Sequence, residues 1–184
     1  MILPEESRQL CQLFADILDY PAGSIRETAG ECLKRLGLSF PDIEQTMQSF
    51  VEFIESRESG GLEELYAQTF DLTPATSLHL GFHLFNETPK RSAFMVQLAE
   101  AYQSHGFDNG TELVDHLCGL LRFLSIAEDP EFVVPLIQEC ILPVLEKIEK
   151  ALQRDSNGYL PAVHSLRLFL HQVNQRLIKV GGLT

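Results

Sequence analysis

Residues 10–18, LCQLFADIL, contain the pattern that decides the fold class. Their apolar members recur at spacings of three and four: Leu10, Leu13, Phe14, Ile17 and Leu18. This spacing places the side chains on one stripe of an α-helix. We expect the helix to end at Tyr20-Pro21, because the residue before a proline avoids helical backbone angles.

The same spacing recurs along the chain between short runs of helix-breaking residues. It predicts further helices over 24–36, with Gly37 just beyond the end, then after Pro41 and after a Gly60-Gly61 hinge. Three more helices are predicted over Pro89–Ser104, from Thr111 and from Leu160. The helix before Leu160 should extend up to Arg154, with a kink or break at Pro143. Residues 77–85, SLHLGFHLF, alternate like a strand but also fit the short helix that we predict. The sequence therefore indicates an all-α, single-domain bundle of about eight or nine helices over residues 1–184.

The composition is that of an acidic globular protein. Hydrophobic residues make up 45% of the 184 residues and charged residues 22%. The 14 Lys+Arg and 26 Asp+Glu residues give a formal net charge of −12. Such a chain repels phosphate backbones and anionic lipids, so we expect neither nucleic acid nor a membrane as a partner. A basic peptide or protein is the expected partner.

The sequence also bears on the compartment. No segment approaches the roughly 20 apolar residues that span a bilayer, and the first residues, MILPEESRQL, do not have the pattern of a secretory signal. The four cysteines are scattered without a CxxC pair: Cys11, Cys32, Cys118 and Cys140. We therefore expect reduced, mostly buried thiols and a cytoplasmic protein without stable membrane insertion.

Motifs for nucleotide or di-iron chemistry do not occur in the sequence: it has no GxxxxGK[ST], no GxGxxG, and no histidine three residues after a glutamate. His79 and His83 alone have the spacing that places two metal ligands on one helix face. Because no third ligand lies near them, we interpret them as polar residues at the edge of an apolar segment. A helical metal-dependent enzyme is the alternative. We expect no catalytic residue, no metal site and no cofactor.

Two segments carry a resemblance to a known family. The first joins YAQTFDL (66–72) to SLHL (77–80), and the second joins ELVDHL (112–117) to LRFL (121–124). Together they resemble the redox-enzyme maturation chaperones, and specifically the nitrate reductase delta-subunit branch. The resemblance extends from about Leu10 to Leu177.

This resemblance implies an all-helical cytoplasmic protein that catalyses nothing. It implies binding of the N-terminal segment of the apo catalytic subunit of a nitrate-reductase-like molybdoenzyme, while the molybdenum cofactor is inserted into that subunit. We expect a monomer or a weak homodimer. A generic helical interaction adaptor is the remaining alternative.

The resemblance also implies where the partner peptide binds. Asp115 and His116 match the Asp-His pair of the family, and His79 belongs to the SLHL segment. On a helix from Thr111, Asp115 would project nearly opposite the leucine stripe, where its carboxylate could receive a basic peptide residue. The alternative is an acid that complements the helix dipole, with a surface histidine beside it.

Tyr66 and Phe70 lie four residues apart, so on a helix they share a face, with Leu62 and Leu65 close by. They either line an apolar groove for the partner or pack in the core. Asp71 is either an acid of this groove or a cap for the following turn.

Overall fold

The computed structural model describes residues 2–21 and 23–181, and its regular structure is helical. The α-helical segments are α1 (Glu5–Ile17), α2 (Ile25–Ser39), α3 (Pro41–Glu55), α4 (Ser59–Tyr66), α5 (Leu80–Phe85), α6 (Pro89–Ser104), α7 (Leu117–Leu124), α8 (Pro130–Pro135), α9 (Leu142–Arg154) and α10 (Leu160–Gly181). A π-helical turn extends α4 over Ala67–Asp71, and another joins α8 to α9 over Leu136–Ile141. With α8 and α9 counted as one continuous helix, the described residues form nine helices in a single domain, which confirms the all-α prediction.

Two groups of aromatic side chains fill the core between α1, α3, α4 and α10. Phe14 and Phe40 both contact Phe169 of α10, with ring centroids 5.6 and 5.1 Å apart. Tyr159 is the centre of the second group, whose other rings are Phe50, Tyr66 and Phe70. The stripes predicted for α1 and α3 face this core, since Leu13 is partly buried and the other apolar residues at spacings of three and four are buried.

Four of the predicted helix breakers lie inside helices. Gly37 is within α2, which continues to Ser39, so the predicted end of this helix is too early. The predicted break between the next two helices exists, but at residues 56–58, and Gly60 and Gly61 are in the first turn of α4. At Pro143 the chain stays helical. Instead of a kink or break at Pro143, the structure has a π-helical turn just before it. This turn shifts the hydrogen-bond register of the helix, because proline has no N–H to donate.

The helix predicted from Thr111 begins only at Leu117, with His116 as its N-cap residue. Residues 107–116 form a loop instead. The prediction that placed Asp115 on an exposed helix surface, opposite a leucine stripe, is therefore wrong. Leu113, expected in that stripe, is 48% exposed.

Side chains from within and outside the loop donate hydrogen bonds to backbone carbonyls that would accept from backbone N–H groups in a helix. Asn109 Nδ2 donates to the carbonyls of residues 112 and 113 at 3.1 and 3.0 Å. The hydroxyl of Tyr102, on α6, donates to the carbonyl of Val114 at 3.0 Å. These bonds hold the loop in a non-helical path because they satisfy its backbone without helical bonds.

An isolated antiparallel bridge between His79 and His116 connects this loop to the chain before α5. The N–H of Leu80 donates to the carbonyl of Asp115 at 2.9 Å, and the N–H of Leu117 donates to the carbonyl of Leu78 at 2.8 Å. The strand-like alternation of residues 78–80 corresponds to this bridge. The short helix predicted here is confirmed as α5.

The cysteines match the prediction of free, mostly buried thiols. Cys11, Cys32 and Cys118 are buried and Cys140 is partly buried, and all four are free. Burial raises the pKa of Cys11 to about 12, so this thiol is protonated and a weak nucleophile at neutral pH. Across residues 2–21 and 23–181, no helix has the length and apolar character to cross a membrane.

Candidate functional site

Asp115 is a fully buried carboxylate at the end of the 107–116 loop. Its Oδ2 accepts a hydrogen bond from the backbone N–H of Gly81 at 3.1 Å and lies 3.3 Å from Nη2 of Arg91, in the first turn of α6. Arg91 also donates from Nη1 to Glu87 at 2.6 Å. Buried charges are stable only when paired and hydrogen-bonded, so this pair ties the loop to α5 and α6.

The surroundings of Asp115 keep it ionised. Burial alone would raise the pKa of its carboxyl, but His79 and Arg91 outweigh burial and hold the pKa below 3.8. Nδ1 of His79 lies 3.5 Å from Oδ1 of Asp115, which is too long for a hydrogen bond, and neither atom has a hydrogen-bond partner among the described residues. We attribute the stabilisation mainly to Arg91, because a guanidinium is charged at every relevant pH.

Gly81 is required by the close approach of Asp115. A Cβ at position 81 would lie 2.7 Å from Oδ2 of Asp115 and 3.0 Å from Cγ of Arg91. Any side chain at this position would therefore displace one partner of the ion pair. The glycine lets the carboxylate reach the backbone N–H directly.

His79 and His116 face each other across the bridge, with ring centroids 5.0 Å apart and ring planes at 72°. His116 is 9% exposed, and its Nδ1 is buried without a hydrogen-bond partner among the described residues. Burial does most to lower the pKa of His116, and His79 lowers it further. At neutral pH His116 is therefore an uncharged ring with an unused hydrogen-bonding atom.

His79 and His83 do not have the geometry on which the metal-enzyme alternative depends. His79 precedes α5 as its N-cap residue, whereas His83 lies inside α5 with Nε2 2.7 Å from the carbonyl of Ser77. The two histidines therefore do not lie on successive turns of one helix face. Within the described part of the chain, no three His, Cys, Asp or Glu side chains are arranged so that they could hold a metal ion.

Tyr66 and Phe70 are buried in the aromatic core rather than exposed in an open groove. Their centroids lie 5.1 Å apart, and Phe70 contacts Tyr159 edge-on at 4.9 Å. The Tyr66 hydroxyl donates to the carbonyl of Leu18 at 3.1 Å. Both side chains therefore pack in the core, the second of the two interpretations, and a role in peptide binding stays a prediction.

The same segment becomes exposed at its end. Asp71 is the last residue of the π-helical turn and is exposed, and Leu72 after it is 74% exposed. The predicted site residues thus differ in their exposure. Tyr66, Phe70, Asp115 and His116 are buried, His79 is partly buried, and Asp71 alone lies at the surface.

Sequence reasoning missed Arg91, Gly81, Tyr102 and Asn109, which position Asp115 and its loop. A signal for Arg91 does exist. Helix α6 begins Pro89-Lys90-Arg91, and two cations in a first turn oppose the helix dipole. Such an unfavourable placement indicates a specific acidic partner, although it does not say which acid.

Residues 40–172 match the family model of the nitrate reductase delta subunit. The match covers most of the chain and includes both motif segments and the Asp115–Arg91 pair. The chain therefore belongs to the nitrate reductase delta subunit family.

The chain is also similar to individual proteins. It is 28% identical over 147 residues, 78% of its length, to the nitrate reductase molybdenum cofactor assembly chaperone NarJ of Escherichia coli K12, and equally to that of Escherichia coli O157:H7. The match spans 61% of those relatives' length. A crystal structure of a protein assigned to redox enzyme maturation, from Archaeoglobus fulgidus, has a TM-score of 0.61 at 19% identity. It covers 89% of this chain and 93% of that one, which shows a shared fold.

Proposed function

We propose that the chain is a cytoplasmic assembly chaperone for a nitrate-reductase-like molybdoenzyme. It binds the N-terminal segment of the apo catalytic subunit and supports insertion of the molybdenum cofactor. The observation that carries this proposal is the family match over residues 40–172, which spans both motif segments. The NarJ relatives are named for cofactor assembly.

The groups that a catalyst would use are engaged in the fold. Asp115 is buried and bonded to Arg91 and Gly81, so it is not presented to a substrate. Burial raises the pKa of the thiols of Cys11, Cys32 and Cys118, which makes them poor nucleophiles. These features support reversible binding, not catalysis, as the mode of action.

The net charge of −12 supports a basic segment as the bound element, because opposite charge accelerates encounter and favours the correct partner. We expect the client segment to bind as an amphipathic helix whose apolar side chains repeat at helical spacing. The state of the free chaperone, a monomer or a weak homodimer, stays a prediction.

Deletion of the gene tests the proposed function. We expect the catalytic subunit purified from the deletion strain to contain little molybdenum by elemental analysis, and the gene on a plasmid to restore the metal. A catalytic subunit with its full molybdenum content in the deletion strain would overturn the proposal.

Capture experiments test the choice of binding segment. The tagged chaperone should retain the apo catalytic subunit but should release a subunit that lacks its N-terminal segment. Equal capture of both forms would leave the chaperone function intact and move the binding site elsewhere on the client.

A further inference from the structure

The 107–116 loop and the first two turns of α6 form a groove with a volume of about 570 Å³. Leu113 lines the groove from the loop, and Arg91 and Met95 line it from α6. Leu113 is 48% exposed and Met95 is partly buried, so the groove offers apolar side chains to a partner. The client segment, an amphipathic helix in the proposed function, presents the complementary apolar side chains.

Arg91 connects the two walls of this groove. It belongs to α6, and its Nη2 lies 3.3 Å from Oδ2 of Asp115, two residues after Leu113 in the loop. The backbone of Asp115 is also fixed, because its carbonyl accepts from the N–H of Leu80 at 2.9 Å. The position of Leu113 relative to α6 therefore depends on the bonds that Asp115 makes.

Asp115 does not contact a client from this position. Its side chain is fully buried, and Oδ2 is occupied by the N–H of Gly81 and by Arg91. The other oxygen, Oδ1, has no hydrogen-bond partner among the described residues but is buried as well. Any effect of Asp115 on client binding is therefore transmitted through the loop.

We propose that Arg91 and Gly81 are positioning residues for client binding. Acting through Asp115, they hold the 107–116 loop so that Leu113 and α6 receive apolar side chains of the client's N-terminal segment. This inference rests on the proposed function and adds to it the residues that shape the binding surface. It gives Asp115 a role in binding without a contact to the client.

Gly81→Ala tests the proposal without changing a charge. The added Cβ would lie 2.7 Å from Oδ2 of Asp115, so the carboxylate has to move. The affinity is measured by calorimetric titration with a synthetic peptide, the N-terminal segment of the nitrate-reductase-like catalytic subunit of the same organism. We expect roughly tenfold weaker binding, which corresponds to the loss of one partly buried leucine contact.

Gly30→Ala is the matched control. Gly30 lies within α2, and a Cβ there would meet no atom within 4 Å outside the backbone of its own helix. This variant should bind within about twofold of the wild type, because a substitution away from the groove changes little. Thermal melts recorded by circular dichroism show whether each variant is folded at the temperature of the titration.

Arg91→Met and Arg91→Lys test the same ion pair from its other side, and they do not depend on whether Gly81→Ala folds. Methionine removes the charge, whereas lysine keeps a point charge that can still approach Asp115. We expect roughly tenfold weaker binding for Arg91→Met and a partial recovery of affinity for Arg91→Lys.

Leu113→Ser distinguishes positioning from a general loss of stability, because it removes the apolar side chain of the loop from the groove. If Gly81→Ala acts by moving the loop, the contact of Leu113 is already lost in that variant. Gly81→Ala/Leu113→Ser should then bind within about twofold of the weaker single variant. Losses that multiply would overturn the route through the loop.

Salt distinguishes positioning from direct contact at Asp115. An ion pair between Asp115 and a basic client residue would be screened, so the ratio of the wild-type affinity to that of Asp115→Asn would fall as salt is raised. A positioning role predicts that this ratio stays constant within about twofold, since the buried pair with Arg91 is screened much less. A ratio that falls would overturn the role given to Asp115.

The outcomes separate the two proposals. If the peptide binds the wild type and the folded variants Gly81→Ala and Arg91→Met with equal affinity, the positioning role is wrong and the proposed function stands. If the peptide does not bind the wild type, the proposed binding segment is contradicted, and this inference falls with it.

Discussion

Residues 66–72 and 112–117 each have a buried part, but different forces hold the two. Tyr66 and Phe70 are buried by ring contacts with Tyr159, an interaction that follows from their apolar character. Asp115 is buried by a guanidinium 24 residues earlier in the chain and by a backbone N–H of Gly81. The first kind of burial follows from local spacing, whereas the second exists only once the fold has brought the partners together.

Each segment also has a second, exposed part. The first becomes exposed between Phe70 and Asp71, and the second is exposed at Glu112 and buried at Asp115. Residues that share one motif therefore have different tasks. The buried members hold the helices and the loop together, and the exposed members are available to a partner.

The largest predicted effect is on the aromatic segment. Phe70→Ala should lower the free energy of unfolding by about 3–5 kcal/mol, because truncating a buried aromatic ring removes its contacts and leaves a cavity. Chemical denaturation measured by circular dichroism tests this. A loss below about 1 kcal/mol would show that Phe70 is not held in the core.

The second prediction concerns the ion pair. Asp115→Asn should lower the free energy of unfolding by about 2–3 kcal/mol, less than for a fully buried pair because Arg91 retains Glu87. The amide can still accept the hydrogen bond of Gly81. The companion variant Arg91→Met isolates the pair: in a double-mutant cycle the two losses should not add. Additive losses would show that Arg91 and Asp115 act independently.

The difference between the two segments also explains what the sequence could predict. The helix bounds Pro89 and Ser104 of α6 follow from a proline and a breaker cluster that are both local, and the structure has the same bounds. The 107–116 loop could not be predicted, because Tyr102 and Asn109 satisfy its carbonyls through contacts that leave no periodic pattern. The sequence therefore places Asp115 on a helix surface, where it could receive a basic peptide residue, whereas in the structure its partner is Arg91.

The third prediction uses the lowered pKa of His116. Because this pKa is below the ordinary value of 6.5, the folded chain binds fewer protons than the unfolded chain just below pH 6.5. Stability should therefore be complete above pH 6.5 and fall as the pH is lowered, by at most about 1.4 kcal/mol per pH unit for one proton.

His116→Gln should flatten this slope in melting temperatures recorded between pH 7 and pH 5. Some slope should remain, since burial also lowers the pKa of His83, and the variant His83→Gln/His116→Gln should remove most of it. The loss from Asp115 falls in a separate, more acidic window that begins near pH 3.8, where the unfolded chain takes up a proton that the folded Asp115, with its lowered pKa, does not. An unchanged slope in the double variant would assign the acid sensitivity to other groups.

The smallest predicted effect on stability is at Leu72, two residues from the position with the largest. Its side chain is 74% exposed, and the bond from its N–H to the carbonyl of Ala67, 3.0 Å long, does not involve the side chain. Leu72→Ser should therefore change the free energy of unfolding by less than about 0.5 kcal/mol. The same variant should weaken peptide binding, because an exposed apolar side chain that could contact the client segment is lost. If the variant has the melting temperature and the peptide affinity of the wild type, the exposed end of this segment has no role in binding. If its melting temperature is lower, burial does not end between Phe70 and Asp71.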